Sequence, residues 1–270
     1  MRINGSIIGS NVTPSFLSGA TGVWSMQNVE LANRQIIWPT NIVTNGLVLF
    51  LDANNTNSYP GSGTSWYDLS DNNNTGTLIN GPTFSNVNGG SIVFDGVDDY
   101  VRIPHNSILA PTSQISFGAW AFLSNWNITN NLRLLSKTET GGYNIGLNES
   151  TIGAGNFGGI IYLGGAYRQA KVTRSTISSG WHYIIMTCDG RYFRLYIDAI
   201  NVATYDHGSV ATISYTYNNS FFIGAEPGPS TTPDGSYWNG NISQATVYNR
   251  ALTATEVLQN FSATRDRFGV

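Results

Sequence analysis

The stretch Ser91 to Ile103, SIVFDGVDDYVRI, limits the possible folds more than any other in the chain. Ile92 and Phe94 face one way and Val93 the other; an Asp95-Gly96 turn follows, and Val101 and Ile103 resume the alternation beyond Asp98 and Asp99. The pattern predicts two short strands around a polar loop. Period-2 patterning buries one face of a sheet and leaves the other wet, so a second layer must cover Phe94, Val101 and Ile103.

The rest of the chain supplies strands for that layer. Leu47 to Leu51 is a short apolar run bounded by Asn45-Gly46 and Asp52 to Asn55, which suits a buried strand. A long polar loop carrying Tyr59, Trp66 and Tyr67 follows it. Ile115 to Phe122 alternates large and small residues, and Leu132 to Leu135, Tyr143 to Leu147 and Ile160 to Leu163 continue at short spacing between Gly-rich breaks. Trp181 to Thr187, Asp189-Gly190 and Tyr192 to Asp198 read as a hairpin, with Asn201 to Tyr205 next; Phe221 to Gly224 and Ile242 to Tyr248 close the series. A dozen or so short strands with turn signals between them predict an all-β, two-sheet antiparallel sandwich or jelly roll. One helix is expected, opened by the capping box Thr253-Ala254-Thr255-Glu256, with Ala254, Val257, Leu258 and Phe261 on one face packing on the sandwich edge.

Three segments are expected: an extended N-terminal arm over 1–45, the sandwich over 46–261, and a tail over 262–270. Trp24 and Trp38 lie in the arm, which has no evident core of its own, so they are expected either to fold back on the arm's own domain or to dock on neighbouring subunits of an assembly. Charged residues make up only 11 % of the 270, well under the roughly 25 % usual for soluble domains. With a formal net charge of -3 and scattered Lys and Arg, no basic stripe exists for nucleic acid and no polybasic patch for a membrane. No apolar run approaches the roughly 18 residues of a membrane span, and neither a signal peptide nor an anchor is expected. Cys188 is the single cysteine and sits in an apolar run, which predicts a buried, inert thiol.

From about Gly46 to Phe261 an ordered set of motifs resembles the laminin-G-like, concanavalin A-like domain: Trp66-Tyr67-Asp68, Gly76-Thr77-Leu78, Phe94-Asp95-Gly96 with Asp98-Asp99-Tyr100-Val101, Trp181-His182 before Asp189-Gly190, Leu195 to Asp198, and Asn239 to Ile242 leading to Val247 to Thr253. The resemblance implies a curved jelly roll, found in lectins, adhesins, some glycosidases and phage virion proteins. The arm residues Gly19 to Ser25, the Trp38-Pro39 pair and the ending Gln259 to Gly269 resemble structural proteins of marine tailed bacteriophages. That second resemblance implies a non-enzymatic virion protein, a capsid decoration, neck or tail component. Its partners would be other virion proteins and itself, and its location the virion. A carbohydrate-binding lectin or adhesin, located outside the cell, is the alternative, and a glycosidase a third reading.

Calcium is the cofactor candidate, because laminin-G-like domains often bind it at the sandwich rim and oxygen-rich loops suit it. Asp68, Asp98 and Asp99 are the expected ligands, unless these side chains only hold their own turns. Glycans would stack on aromatics in or beside loops: Trp66, Trp126, Tyr143, Tyr162, Tyr167 and Trp238, against the alternative that each is core packing. Catalysis has little support. The Glu-x-Asp-x-x-Glu strand motif of related glucanases is absent, Glu139 and Glu149 merely flank the Tyr143 strand, and His105, His182 and His207 have no nucleophile motif beside them. Arg168, Lys171 and Arg174 form the one positive cluster, a solvated strand face or an interface.

Overall fold

The computed structural model describes residues 41–138, 140–228 and 232–270, which contain eighteen strands and one α-helix. Two eight-stranded antiparallel sheets face each other. The first runs in the order Ile200–Asp206, Tyr192–Ile197, Gly180–Cys188, Ile115–Leu123, Asn239–Tyr248, Ser91–Asp95, Thr83–Ser85, with Leu47–Asp52 also paired to Asn239–Tyr248. The second runs Ala166–Thr173, Asn156–Leu163, Gly142–Leu147, Leu132–Thr138, Phe221–Ile223, Tyr100–Ile103, Gly76–Ile79, Ser65–Trp66. All-β architecture in two antiparallel layers with a short C-terminal helix is therefore what the chain adopts.

Alternation explains the layers. In Ile115–Leu123, Ile115, Phe117, Ala119 and Ala121 enter the core between the sheets, while Trp120 lies on the opposite face among a second apolar group. Phe94, Val101 and Ile103 are buried in the main core, as the second layer requires. The two strands flanking the acidic loop do not pair with each other, however. Ser91–Asp95 pairs with Asn239–Tyr248 and Thr83–Ser85 in the first sheet, and Tyr100–Ile103 pairs with Phe221–Ile223 and Gly76–Ile79 in the second. The loop over 95–99 thus crosses from one layer to the other at the rim.

The hairpin Gly180–Cys188 with Tyr192–Ile197 forms in register from Ile184 opposite Ile197 to Cys188 opposite Phe193. Cys188 is buried, and desolvation pushes its thiol up to about 11, so it is a small apolar residue rather than a nucleophile.

The helix α1, Ala254–Thr264, opens with the expected box: the Thr253 hydroxyl accepts from the Glu256 amide and Glu256 Oε2 accepts from the Thr253 amide. It does not sit on the sandwich edge. It covers the outer face of the first sheet, where Val257 and Phe261 meet Trp120, Tyr183 and Tyr248. The chain after it joins the same layer: Phe268 stacks on Trp120 at 4.1 Å, and Arg267 reaches Asp52 at 3.0 Å. Val43 is drawn in too, its amide donating to Asn260 Oδ1 and its carbonyl accepting from Tyr248. Trp120 and Trp181 pack outside the first sheet, an amphipathic surface that needed a cover and found it in the C-terminus.

Candidate functional site

The acidic rim loop is the one group of carboxylates among the described residues that could hold a metal ion. One oxygen from each of Asp95, Asp98 and Asp99 lies within 4.8 Å of the others. The crossing loop makes the cluster: the Val97 amide donates to Asp95 Oδ1 and the Asp95 amide to Asp99 Oδ2, which fixes two of the three side chains. Asp99 is buried and the other two are exposed. Burial raises the Asp99 carboxyl above its usual range, against the pull of the Asp95 amide, and the charges of Asp95 and Asp98 raise it further. Among the described residues no lysine or arginine pairs with any of the three. Uncompensated oxygens of this kind fit a hard divalent cation such as calcium, which would screen their mutual repulsion and brace the rim.

Asp68 does not join the cluster. Its Oδ1 accepts from the Phe50 and Ser70 amides and its Oδ2 from the Ser70 hydroxyl and the Asn74 amide, so it ties its own loop to the Leu47–Asp52 strand. Asp95 takes its place beside Asp98 and Asp99. The signal was available, since Asp95 stands four residues before Asp99 in a turn motif, but a turn reading absorbed it.

Calcium at about 2 mM is expected to raise the unfolding free energy by about 1 kcal/mol if the site binds as extracellular modules do. Asp99→Asn should abolish that gain and Asp68→Asn should not. The raised Asp99 carboxyl adds a pH dependence of known sign. Without the ion, its contribution is fully present below the unfolded value and is lost as pH rises through the folded one. The gain from calcium should therefore grow as pH rises through that value. Melting curves with calcium and with chelator across pH check both statements.

The aromatic candidates divide sharply. Trp66, Trp126, Tyr143 and Trp238 are each no more than 1 % exposed. Trp126 is enclosed by the rings of Phe157, His182 and Trp238 at 5.3, 5.6 and 5.8 Å, and Tyr143 lies 4.4 Å from Phe117 with its hydroxyl donating to the Leu109 carbonyl. The expectation that these four stack on a glycan is corrected: their faces are already packed against protein. Tyr162 and Tyr167 differ. They are half-buried, face each other across paired strands, and meet edge to face at 5.0 Å. Trp24 and Trp38 lie outside the described residues.

The carboxylates flanking the Tyr143 strand hold structure. Glu149 is buried and accepts from the Thr151 and Ile152 amides and the Ser150 and Thr151 hydroxyls; Arg133 stands 3.7 Å away. Glu139 lies outside the described residues. The basic cluster also serves the scaffold: Lys171 donates to the Ile152 carbonyl, Arg168 to the Leu163 carbonyl, and Arg174 to the side chains of Asn127 and Asn148.

One constellation was missed in the sequence. His182 Nδ1 lies 2.6 Å from Asp198 Oδ2, and its Nε2 lies 3.3 Å from the Ser178 hydroxyl. The hairpin brings Asp198 to His182, and Ser178 is four residues before it. The set resembles a catalytic triad in composition but not in function. Nε2 is closer, at 2.9 Å, to the Ser178 carbonyl, which can only accept, so the ring donates from both nitrogens and has no lone pair for a hydroxyl proton. Burial alone would lower this imidazole, but the hydrogen bond and charge of Asp198 and the Ser178 carbonyl outweigh it, and the net shift is upward. A histidine with acceptors at both ring nitrogens is a poor general base. His105 Nδ1 is taken by the buried ammonium of Lys137 at 3.2 Å, and His207 Nδ1 lies 3.2 Å from the Ser209 carbonyl.

A cleft of about 260 Å³ opens on the outer face of the first sheet, beside the 3₁₀ turn Val87–Gly89, with Phe122, Trp181 and Asn241 among its walls.

Residues 95–258 match the family model of the concanavalin A-like lectin/glucanases superfamily. No curated protein matches the chain. Among solved structures, it is similar to a botulinum neurotoxin type C structure described as dependent for cell entry on two ganglioside molecules, at 14% identity and TM-score 0.61, over 81% of this chain and 51% of that one. The binding domain of Paraclostridial Mosquitocidal Protein 1 is similar at 17% identity and TM-score 0.57, over 80% and 52%. The binding domain of botulinum neurotoxin serotype D is similar at 12% identity and TM-score 0.58, over 81% and 52%. The chain spans about half the length of each. Two of the three are described as binding domains, and two come from botulinum neurotoxins. They overturn the expectation of a bacteriophage structural protein in capsid, neck or tail, and with it the virion partners and virion location. They agree with the non-enzymatic expectation. The matched model covers more than half of the chain, and its two sheets stand where that fold requires them: this chain belongs to the concanavalin A-like lectin/glucanases superfamily.

Proposed function

We propose that the chain is a non-catalytic carbohydrate- or receptor-binding domain that works outside the cell on the surface glycans of another. The observation that carries this reading is the likeness of the whole sandwich to receptor-binding domains, combined with a family model that covers lectins. The chemistry of the described residues agrees. Glu149, one of the two carboxylates flanking the Tyr143 strand, is buried and saturated by its own turn, and the one His-Asp pair among these residues lacks a usable base. A polar, weakly charged surface suits hydroxyl-rich ligands, which are bound by paired amides and aromatic faces rather than by net charge.

A glycan array probed with the full chain, with and without calcium, tests the reading. Binding to a defined set of sugars without any hydrolysis product supports it. No binding to any glycan, or release of reducing ends, would remove it.

A further inference from the structure

We propose that the cleft on the outer face of the first sheet binds a single neutral pyranose ring; this deepens the carbohydrate-binding reading and rests on it. The floor is a row across three neighbouring strands. Trp181 stands opposite Phe122, and Phe122 opposite Asn241, so all three side chains leave the same face of the sheet. The 3₁₀ turn Val87–Gly89 rises beside this row and supplies Asn88, whose backbone sits in the left-handed region at φ 54°.

Phe122 is half-buried and gives the cleft its apolar wall for the C–H face of a sugar; Trp181, 8 % exposed and covered by Phe268, stands behind it at 51° with ring centroids 5.6 Å apart. The polar side is held in place before any ligand arrives. Asn88 Oδ1 accepts from the Trp181 indole at 3.3 Å, and its Nδ2 donates to the Arg267 carbonyl at 3.1 Å. Asn241 Nδ2 donates to the Ser91 hydroxyl at 3.0 Å. These bonds leave the Asn241 carbonyl and one N–H of each amide for a ligand, while the buried Ser91 hydroxyl only braces Asn241.

Three features name the ligand. Adjacent hydroxyls of a pyranose pair with a carboxamide that both donates and accepts, whereas an apolar side chain of a peptide would leave these groups unpaired. Among the described residues no Lys, Arg, His, Asp or Glu lines the cleft, so none of them selects a carboxylated or sulfated sugar. Its 260 Å³ falls just under the usual ligand range of about 300–1,000 Å³, which fits one ring and not a chain. The C-terminal tail is part of the construction, because Phe268 lies 4.7 Å from the Trp181 ring and the Arg267 carbonyl holds Asn88.

The test is a titration of the full chain, followed by NMR, with the methyl glycosides of glucose, galactose, mannose and N-acetylglucosamine and with N-acetylneuraminic acid. A neutral glycoside is expected to bind and N-acetylneuraminic acid to bind far more weakly. Asn241→Leu should weaken the neutral sugar by about tenfold or more at an unchanged melting midpoint. Val87→Trp, an exposed change at the lip that leaves the sheet untouched, should do the same if Asn241→Leu disturbs folding. Binding that survives both variants, that is lost with Tyr162→Ala instead, or that is confined to the acidic sugar overturns the cleft and leaves the carbohydrate reading standing. A chain that binds nothing here or on the array overturns both.

Discussion

Replacing Trp120 with Ala is expected to cost about 3–5 kcal/mol of stability, the range for a fully buried large aromatic. Melting should begin on the order of 10 °C lower. Trp120 is 0 % exposed although it points away from the space between the sheets. It is covered by Phe268 at 4.1 Å, Phe261 at 5.7 Å and Tyr183 at 5.5 Å, and its indole donates to the Thr264 hydroxyl at 2.8 Å. Its removal leaves a cavity under the helix and the tail at once. Release of the tail should follow, seen as faster hydrogen exchange and proteolysis after Thr264, and the cleft should lose the Arg267 contact that holds Asn88. A change below about 1 kcal/mol would mean that this outer layer does not unfold with the sandwich.

Glu226→Ala is the second large effect, about 3 kcal/mol, because it strands a buried charge. Arg133 is 2 % exposed on the strand Leu132–Thr138, with Glu226 Oε2 at 3.0 Å from its Nη2, Glu149 Oε1 at 3.7 Å and Asn131 Oδ1 accepting from Nη1. Removing Glu226 leaves the guanidinium with one distant carboxylate. Arg133→Met should cost clearly less, since Glu149 keeps four other donors and Glu226 keeps the Ser236 hydroxyl. Urea unfolding of the two single variants and the double decides it. If Arg133→Met is the more damaging of the two, the ion pair stabilises by itself and the burial penalty has been overstated.

The long apolar strands, the hairpin with its Asp189-Gly190 turn, and the Thr253 capping box were legible in the sequence, because local rules govern them; the polar strands Ser65–Trp66, Gly76–Ile79, Thr83–Ser85 and Ala166–Thr173 were not, because their pairing and not their own pattern makes them strands. Site residues were harder. Trp66 and Trp238 stand beside turn signals like exposed residues, yet both are 0 % exposed: Trp66 belongs to the edge strand Ser65–Trp66 and Trp238 directly precedes the strand Asn239–Tyr248, and only the opposing sheet decides whether space exists for such a ring. Asp68 and Asp95 are equivalent as residue types. One is spent on four donors in its own loop and the other stands with two further carboxylates, a difference made by which strands each loop joins. Ser178, His182 and Asp198 show the reverse error: the hairpin gathers them, and only the position of the Ser178 carbonyl shows that the set is structural.

In Ser91 to Ile103, alternation by itself determined that Ile92, Phe94, Val101 and Ile103 would be buried and that a polar loop would separate two strands. Tertiary structure alone decided that the strands belong to different sheets, which turned the loop into a rim crossing and gathered Asp95, Asp98 and Asp99. Side-chain period is a property of the local backbone. The choice of hydrogen-bonding partner is made between strands far apart in sequence, wherever the combined burial of both layers is greatest.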